Sequence, residues 1–428
     1  MYRKGNIVMK RHVKDFAVLG GSLEFQTPLI VGRPGVLRRD SFLKRVEAIL
    51  DSGHLTNGGP MVCEFEQRLA EFLGVRHVVA VCNGTAALQV MAVACQLTGE
   101  VIVPSMTFIA TAHALQWIGL TPVFADIDQR THTLDPKSVQ RCITDRTSAI
   151  LGVHLWGNPC AIDDLQQIAE QHKLSLLFDA SHAFGCSVGT RSVGSFGDAE
   201  AFSFHATKIM HSAEGGAIVT NNDDIAERCR LMRNFGITGL TRIESIGINA
   251  KMSELSAAAG LTSLESLADV INHNKHNLCE YRLQIDSING LRVAIPSEDQ
   301  QLNCQYVVVC VDEAQFGLSR DELLQVLRAE GVFARAYFAP GCHNSPPYAG
   351  VSVNCPVLLP VTNQLLDEVI QLPTGSSVKT ADIHAVAMLI RAAQKHATIL
   401  SEHLYQTEPC WHPADPATPM PVTKANAA

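Results

Sequence analysis

The chain has 428 residues, 46% of them hydrophobic, 18% charged and 6% aromatic, which suits one large domain plus a smaller one. A formal net charge of −8 and the lack of any dense Lys/Arg run leave no electrostatic footprint for a nucleic acid backbone. Thirteen cysteines, odd in number and without a C-x-x-C pair, argue against a disulfide scaffold or zinc ribbon and for a reduced, cytoplasmic chain.

In chain order, residues 1–30 form a basic N-terminal extension whose apolar stretch FAVLGG is too short for a signal peptide. No run approaches the roughly 20 apolar residues of a spanning helix. A large domain over 31–265 carries short apolar runs alternating with helix-like segments. The runs are HVVAVC (77–82), EVIVP (100–104), TPVFADI (121–127), SAILGVHL (148–155), LSLLFDAS (174–181), EAFSFH (200–205) and GGAIVT (215–220). Near-continuous apolar strands separated by helices predict an α/β fold with a mostly parallel seven-stranded sheet, covered on both faces. Residues 252–285 read as one long helix bridging to a smaller α+β domain over 266–404, in which QYVVVCV (305–311) and VFARAYF (332–338) flank a helical SRDELLQVLRAEG. The tail, 405–428, is rich in proline and predicted to be disordered.

Open parallel sheets bind ligands at the carboxyl ends of their strands. The first run ends in NGTAAL, where Gly84 and Thr85 open a helix; this is either a phosphate cradle or a plain turn with Thr85 as N-cap. The fifth run ends on Asp179, which suits a helix cap, a metal ligand or a partner for a cationic ring; Asp126 in PVFADID is a comparable strand-end acid. AFSFHATKIMHSAEGGAIV (201–219) places Ser203 at a strand end and Lys208 in a small-residue link between two core strands. A lysine there either snorkels to the surface or is buried, with a lowered pKa, as a Schiff-base nucleophile. No G-x-S-x-G, H-E-x-x-H, P-loop or G-x-G-x-x-G motif occurs, and the histidines lack metal spacing; His273 and His276 are placed on a solvated face. A phosphate cradle, a strand-end acid and a Schiff-base lysine together are what pyridoxal 5'-phosphate requires.

NGTAAL, EVIVPSMTFIATAHAL, PVFADID, DASHAFG, FSFHATK…EGGAIVTN and INAKMSEL, in this order, resemble the DegT/DnrJ/EryC1/StrS family of sugar aminotransferases, from about VGRPG (31–35) to near residue 350. The resemblance implies a pyridoxal-phosphate-dependent transferase of fold type I. Its subgroup with FSFHATK and LTNGGP is similar to aminotransferases acting on dTDP-4-keto-6-deoxyhexoses. By the same resemblance Lys208 forms the covalent aldimine with the cofactor, Asp179 pairs with the pyridine nitrogen, and His182 lies near the ring hydroxyl. Gly84, Thr85 and Ser203 hold the phosphate, Phe108 stacks on the ring, and Asn249 in INAKMSEL reaches the phosphate from a neighbouring subunit, with Lys251 as an alternative. Asn249 reads as lying outside the seven-strand unit and without a local charge partner. The implied reaction moves an amino group from an amino acid, glutamate, to the ketone of a nucleotide-linked 4-keto-6-deoxyhexose in a homodimer with shared sites. Rival substrates are another ketone such as an aminocyclitol precursor, and a non-catalytic cofactor-binding relative is a rival of another class. His211 and Ala213 in IMHSAEGG, and Ala336 and Ala339 in ARAYFAPGCH, depart from the family pattern and bear on the sugar pocket.

Overall fold

The protein is described by a computed structural model over residues 10–35, 37–294, 300–351 and 357–406. All seven expected runs carry strands: β1 (His77–Val81), β2 (Glu100–Pro104), β3 (Thr121–Ala125), β4 (Thr147–Val153), β5 (Ser175–Asp179), β6 (Ala199–Ser203) and β7 (Gly216–Thr220). They form one sheet in the order β1-β7-β6-β5-β4-β2-β3, parallel throughout except for β7, which is antiparallel to both neighbours. The near-continuous apolar runs arise because both faces are covered. Side chains alternate along each strand, so Val78, Ala80, Ile102, Leu176 and Phe178 enter one core while Val79, Val81, Val101, Val103 and Leu177 enter the other.

The smaller unit has a three-stranded antiparallel sheet of β8 (Leu291–Val293), β9 (Val307–Val311) and β10 (Val369–Leu372), with a core of its own. Two expectations are corrected here. The segment 252–285 is two helices, α1 (Glu254–Leu264) and α2 (Leu267–Ile285), broken at Glu265–Ser266. Helical periodicity on both sides conceals the break, which lets Leu267 pack into the large core while α2 continues to Tyr281 and Ile285 in the small one. VFARAYF is not a long strand of the smaller sheet. Val332–Phe333 is a short strand that pairs in parallel with Leu29–Ile30, and Arg335 alone makes an isolated antiparallel bridge to Gln371 of β10.

That pairing belongs to a larger attachment of the N-terminal segment. Phe16 is fully buried in the smaller core, and Lys10 Nζ pairs with the buried Glu330 carboxylate at 2.8 Å. The same carboxylate accepts from the amides of Ala17 and Glu24. The last helix runs Ala397–Gln406, past the expected start of the tail at 405; residues 407–428, expected to be disordered, lie outside the described residues. Among the described residues no helix is long and apolar enough to cross a membrane.

Candidate active site

Six of the seven strands end at one edge of the sheet, and β7, running the other way, begins there. A cavity of about 700 Å³ opens at that edge, with the smaller unit forming its far wall. Gly84, Thr85, Phe108, Asp179, His182, Ser203 and Lys208 all line it.

The cradle comes from the start of the helix α3' (Gly84–Ala94), which abuts the end of β6. A Cβ on Gly84 would stand 2.8 Å from Ser203 Cβ, so only glycine admits this approach. Thr85 is not the N-cap: Asn83 is, its side chain accepting from Ala86 N at 2.8 Å, because the chain turns two residues earlier. The amides of Gly84 and Thr85 have no acceptor within the helix and lie beside two hydroxyls, of Thr85 and Ser203.

Asp179 is 5% exposed, and its carboxylate accepts from Thr111 Oγ1 at 2.9 Å and from Ser181 N at 3.1 Å. The comparable acid Asp126 is spent elsewhere. Its carboxylate accepts from Val361 N, Thr362 N and Thr362 Oγ1 at the start of the helix Pro360–Glu368. Lys208 sits in the link between β6 and β7, and its Nζ makes no hydrogen bond among the described residues. Burial lowers its pKa to about 8, with the Asp179 charge opposing the shift. Such an amine is half neutral near pH 8, whereas an ordinary lysine is almost wholly charged.

His182 is held in an aromatic group the sequence reading did not find: Tyr306 lies 4.5 Å away, Trp156 5.9 Å and Phe338 6.0 Å, centroid to centroid. Burial, with the Lys208 charge adding to it, pushes its pKa well below the usual range, so the ring is neutral. Trp156 N donates to Nδ1 at 3.3 Å, which leaves the ring proton on Nε2 as a donor. Phe108 stands at the mouth, 57% exposed, edge-on to Phe338 at 6.4 Å. Arg335 also lines the cavity; it hydrogen-bonds the Tyr337 hydroxyl and pairs with no carboxylate among the described residues.

Residues 37–391 match the profile of the DegT/DnrJ/EryC1/StrS aminotransferase family. The chain belongs to that family. It is therefore a transaminase by descent, and its similarities extend over nearly all of its length. The dTDP-4-amino-4,6-dideoxy-D-glucose transaminase of Shigella dysenteriae is 37% identical over 366 residues, covering 86% of this chain and 99% of the relative. A GDP-perosamine synthase of Caulobacter vibrioides is 34% identical, covering 79% and 91%. The crystal structure of DesI in the presence of its TDP-sugar product superposes with a TM-score of 0.88 at 50% identity, covering 92% of this chain and all of that one.

Other expectations fare differently. Asn249 is exposed and outside the cavity of its own chain. It does have a charged neighbour: Lys251 Nζ donates to its Oδ1 at 2.7 Å. Nor does INAKMSEL lie apart from the sheet, because Cys82 N donates to Ala250 O and Lys251 bridges Val81 at the edge strand. His276 is exposed, as expected, and His273 is half-buried; both hydrogen-bond the 375–380 segment, His273 to the carbonyls of Gly375 and Val378, and His276 to Thr380 Oγ1. Of the four departures from the family pattern, His211 lines the cavity, while Ala213, Ala336 and Ala339 do not.

Arg335, Tyr306, Trp156 and Phe338 were missed because each comes from a loop whose place is set by long-range packing. The sole local signal was HLWGNP, an aromatic and a histidine directly after a strand. Among the described residues no group of three or more His, Cys, Asp or Glu is arranged to hold a metal ion.

Proposed function

We propose that this aminotransferase carries an amino group from glutamate to carbon 4 of a nucleotide-linked 4-keto-6-deoxyhexose, with pyridoxal 5'-phosphate as cofactor, in the cytoplasm. The observation that carries the reading is one cavity uniting an amine of lowered pKa, a buried carboxylate and a helix start with unsatisfied amides. These groups fit the cofactor. The glycine-tight junction of Gly84 with Ser203 leaves space and donors for a phosphate. Asp179 supplies an anion for a ring nitrogen, and Lys208 an amine for an aldehyde. When bound, the cofactor supplies an aldehyde that condenses with amines and a ring that takes up an electron pair.

The chain's own residues would do the rest. Lys208 Nζ, once free, takes the proton from the α-carbon of glutamate, and in the second half-reaction delivers one to carbon 4 of the sugar. Asp179, fixed by Thr111 and Ser181, holds a proton on the ring nitrogen and so favours negative charge flowing toward it. His182 would be placed to donate from Nε2 to the ring hydroxyl, and Phe108 to cover one ring face. Arg335 offers a cation without a carboxylate partner for the acid group of the donor. The 4-amino-4,6-dideoxy sugar in the name of the Shigella relative supports carbon 4.

The test is to incubate purified protein with glutamate and a panel of nucleotide-linked ketosugars, and to identify the product by mass spectrometry and NMR. A 4-amino-6-deoxyhexose is expected. Amination at another carbon, or of an aminocyclitol precursor alone, would replace the substrate assignment.

The reading includes a homodimer. Segment 234–249 exposes Phe235, Ile237, Leu240, Ile243, Ile246 and Ile248, an apolar array that a second copy would cover. Asn249 ends that array and would reach the partner's phosphate. Mixing Lys208→Ala with Asn249→Ala under subunit exchange should restore part of the activity, since one site of the hybrid carries neither lesion. No recovery after proven exchange would remove Asn249 from the partner's site.

A further inference from the structure

The link carrying Lys208 has no regular structure, so its peptide groups need partners from outside. Lys208 N donates to His205 O at 2.8 Å within the link. The two peptides on either side of the Lys208 Cα are then taken by a single side chain. Gln305 Nε2 donates to Thr207 O at 2.9 Å, and Gln305 Oε1 accepts from Ile209 N at 3.1 Å. One primary amide thus brackets the lysine as a neighbouring β-strand would, restraining the φ and ψ that decide where its side chain points.

Gln305 is itself anchored. Its backbone N–H donates to Asn303 Oδ1 at 3.0 Å, and Asn303, fully buried, donates from Nδ2 to His182 O at 2.9 Å and Phe184 O at 3.0 Å. The next residue, Tyr306, packs on His182, and β9 begins at Val307. Four residues, 303–306, therefore tie the central strand of the smaller sheet to both loops that frame the cavity floor. The hydroxyl of Tyr306 is within 3.4 Å of Gln305 Nε2 but is a minor partner beside the Thr207 carbonyl.

We propose that Gln305 is a positioning residue for Lys208, setting the aim of its amine from the smaller sheet through the peptides on both sides of it. This rests on Lys208 being the reactive amine. Without the bracket the link relaxes toward water, and the amine is both misdirected and better hydrated. A misplacement of about 1 Å suffices to slow proton transfer about a hundredfold.

The experiment uses Gln305→Met, which keeps the bulk and removes both hydrogen bonds, and Gln305→Ala, which removes the same bonds and also opens the half-buried cavity wall. In cofactor-free protein, acylation of Lys208 by acetic anhydride is followed against pH by peptide mass spectrometry. At pH 8 labelling should fall about fivefold, as a rise of roughly one pKa unit takes the neutral fraction from about half to about a tenth. In the cofactor-loaded protein, kcat for the glutamate half-reaction should fall about tenfold or more with KM within twofold. A clamp that serves folding alone would lower the thermal midpoint and leave the Lys208 profile and kcat unchanged, and that result overturns the proposal. Borohydride labelling of the unmodified holoenzyme keeps the two failures apart. A label on a different lysine refutes the role of Lys208, whereas a label on Lys208 with unaltered Gln305 variants refutes only the bracket.

Discussion

Lys208→Ala is expected to lower the rate of amino transfer by about 10²–10⁴-fold, the range for losing a positioned proton-transfer group. The unmodified protein should be yellow, and borohydride should fix the cofactor covalently to Lys208; the variant should still bind cofactor through the Gly84–Ser203 cradle but take no covalent label there. The pH dependence follows from the environment of the amine. Burial disfavours its charged form and outweighs the attraction of Asp179, leaving the pKa at about 8. In cofactor-free protein the neutral amine therefore falls away below pH 8 and predominates above it. The rate at which the visible band develops on adding pyridoxal phosphate should climb about tenfold per pH unit up to pH 8 and then level off. A rate still climbing at pH 10 would show an ordinary, hydrated lysine.

Asp179→Asn should slow the half-reaction with glutamate by about 10²–10³-fold, the size of effect seen when one preorganised electrostatic group is removed from a reacting centre. The fold should barely respond. Asparagine is nearly isosteric, its oxygen can still accept from Ser181 N, and its amide can donate to Thr111 Oγ1, whose own hydroxyl can turn to Thr107 at 3.0 Å. Stopped-flow rates together with a melting curve check both halves of the expectation. Near-normal rates would reduce Asp179 to a support for the loop after β5.

Asp179 and Asp126 show how far the sequence alone could go. Each is an acid at the end of a buried apolar run, and nothing local separates them. The fold separates them by what arrives from elsewhere. The helix Pro360–Glu368 brings two amides and a hydroxyl to Asp126, whereas Asp179 receives one hydroxyl and one amide and lines the cavity. Asn249 illustrates the opposite error. Its apolar neighbours suggested isolation, but Lys251, two residues on, turns its side chain back to it across the irregular pairing at the sheet edge.

By itself the sequence determined the seven strands, their mostly parallel arrangement, and the strand-end placement of Gly84, Thr85, Ser203, Lys208 and the two acids Asp126 and Asp179. Those features are local: apolar periodicity marks a strand buried on both faces, and a strand's end places the next residue at the ligand-binding edge. The tertiary structure alone decided the break between α1 and α2, the attachment of Phe16 and Lys10 to the smaller core, the cavity wall of Tyr306, Arg335 and Phe338, and the stacking of Trp156 on His182. It also decided the bracket of Gln305 on Lys208. These depend on hydrogen bonds and packing between residues about a hundred or more positions apart in several cases, and a side-chain amide or aromatic ring carries no local mark of the partner that folding will bring to it.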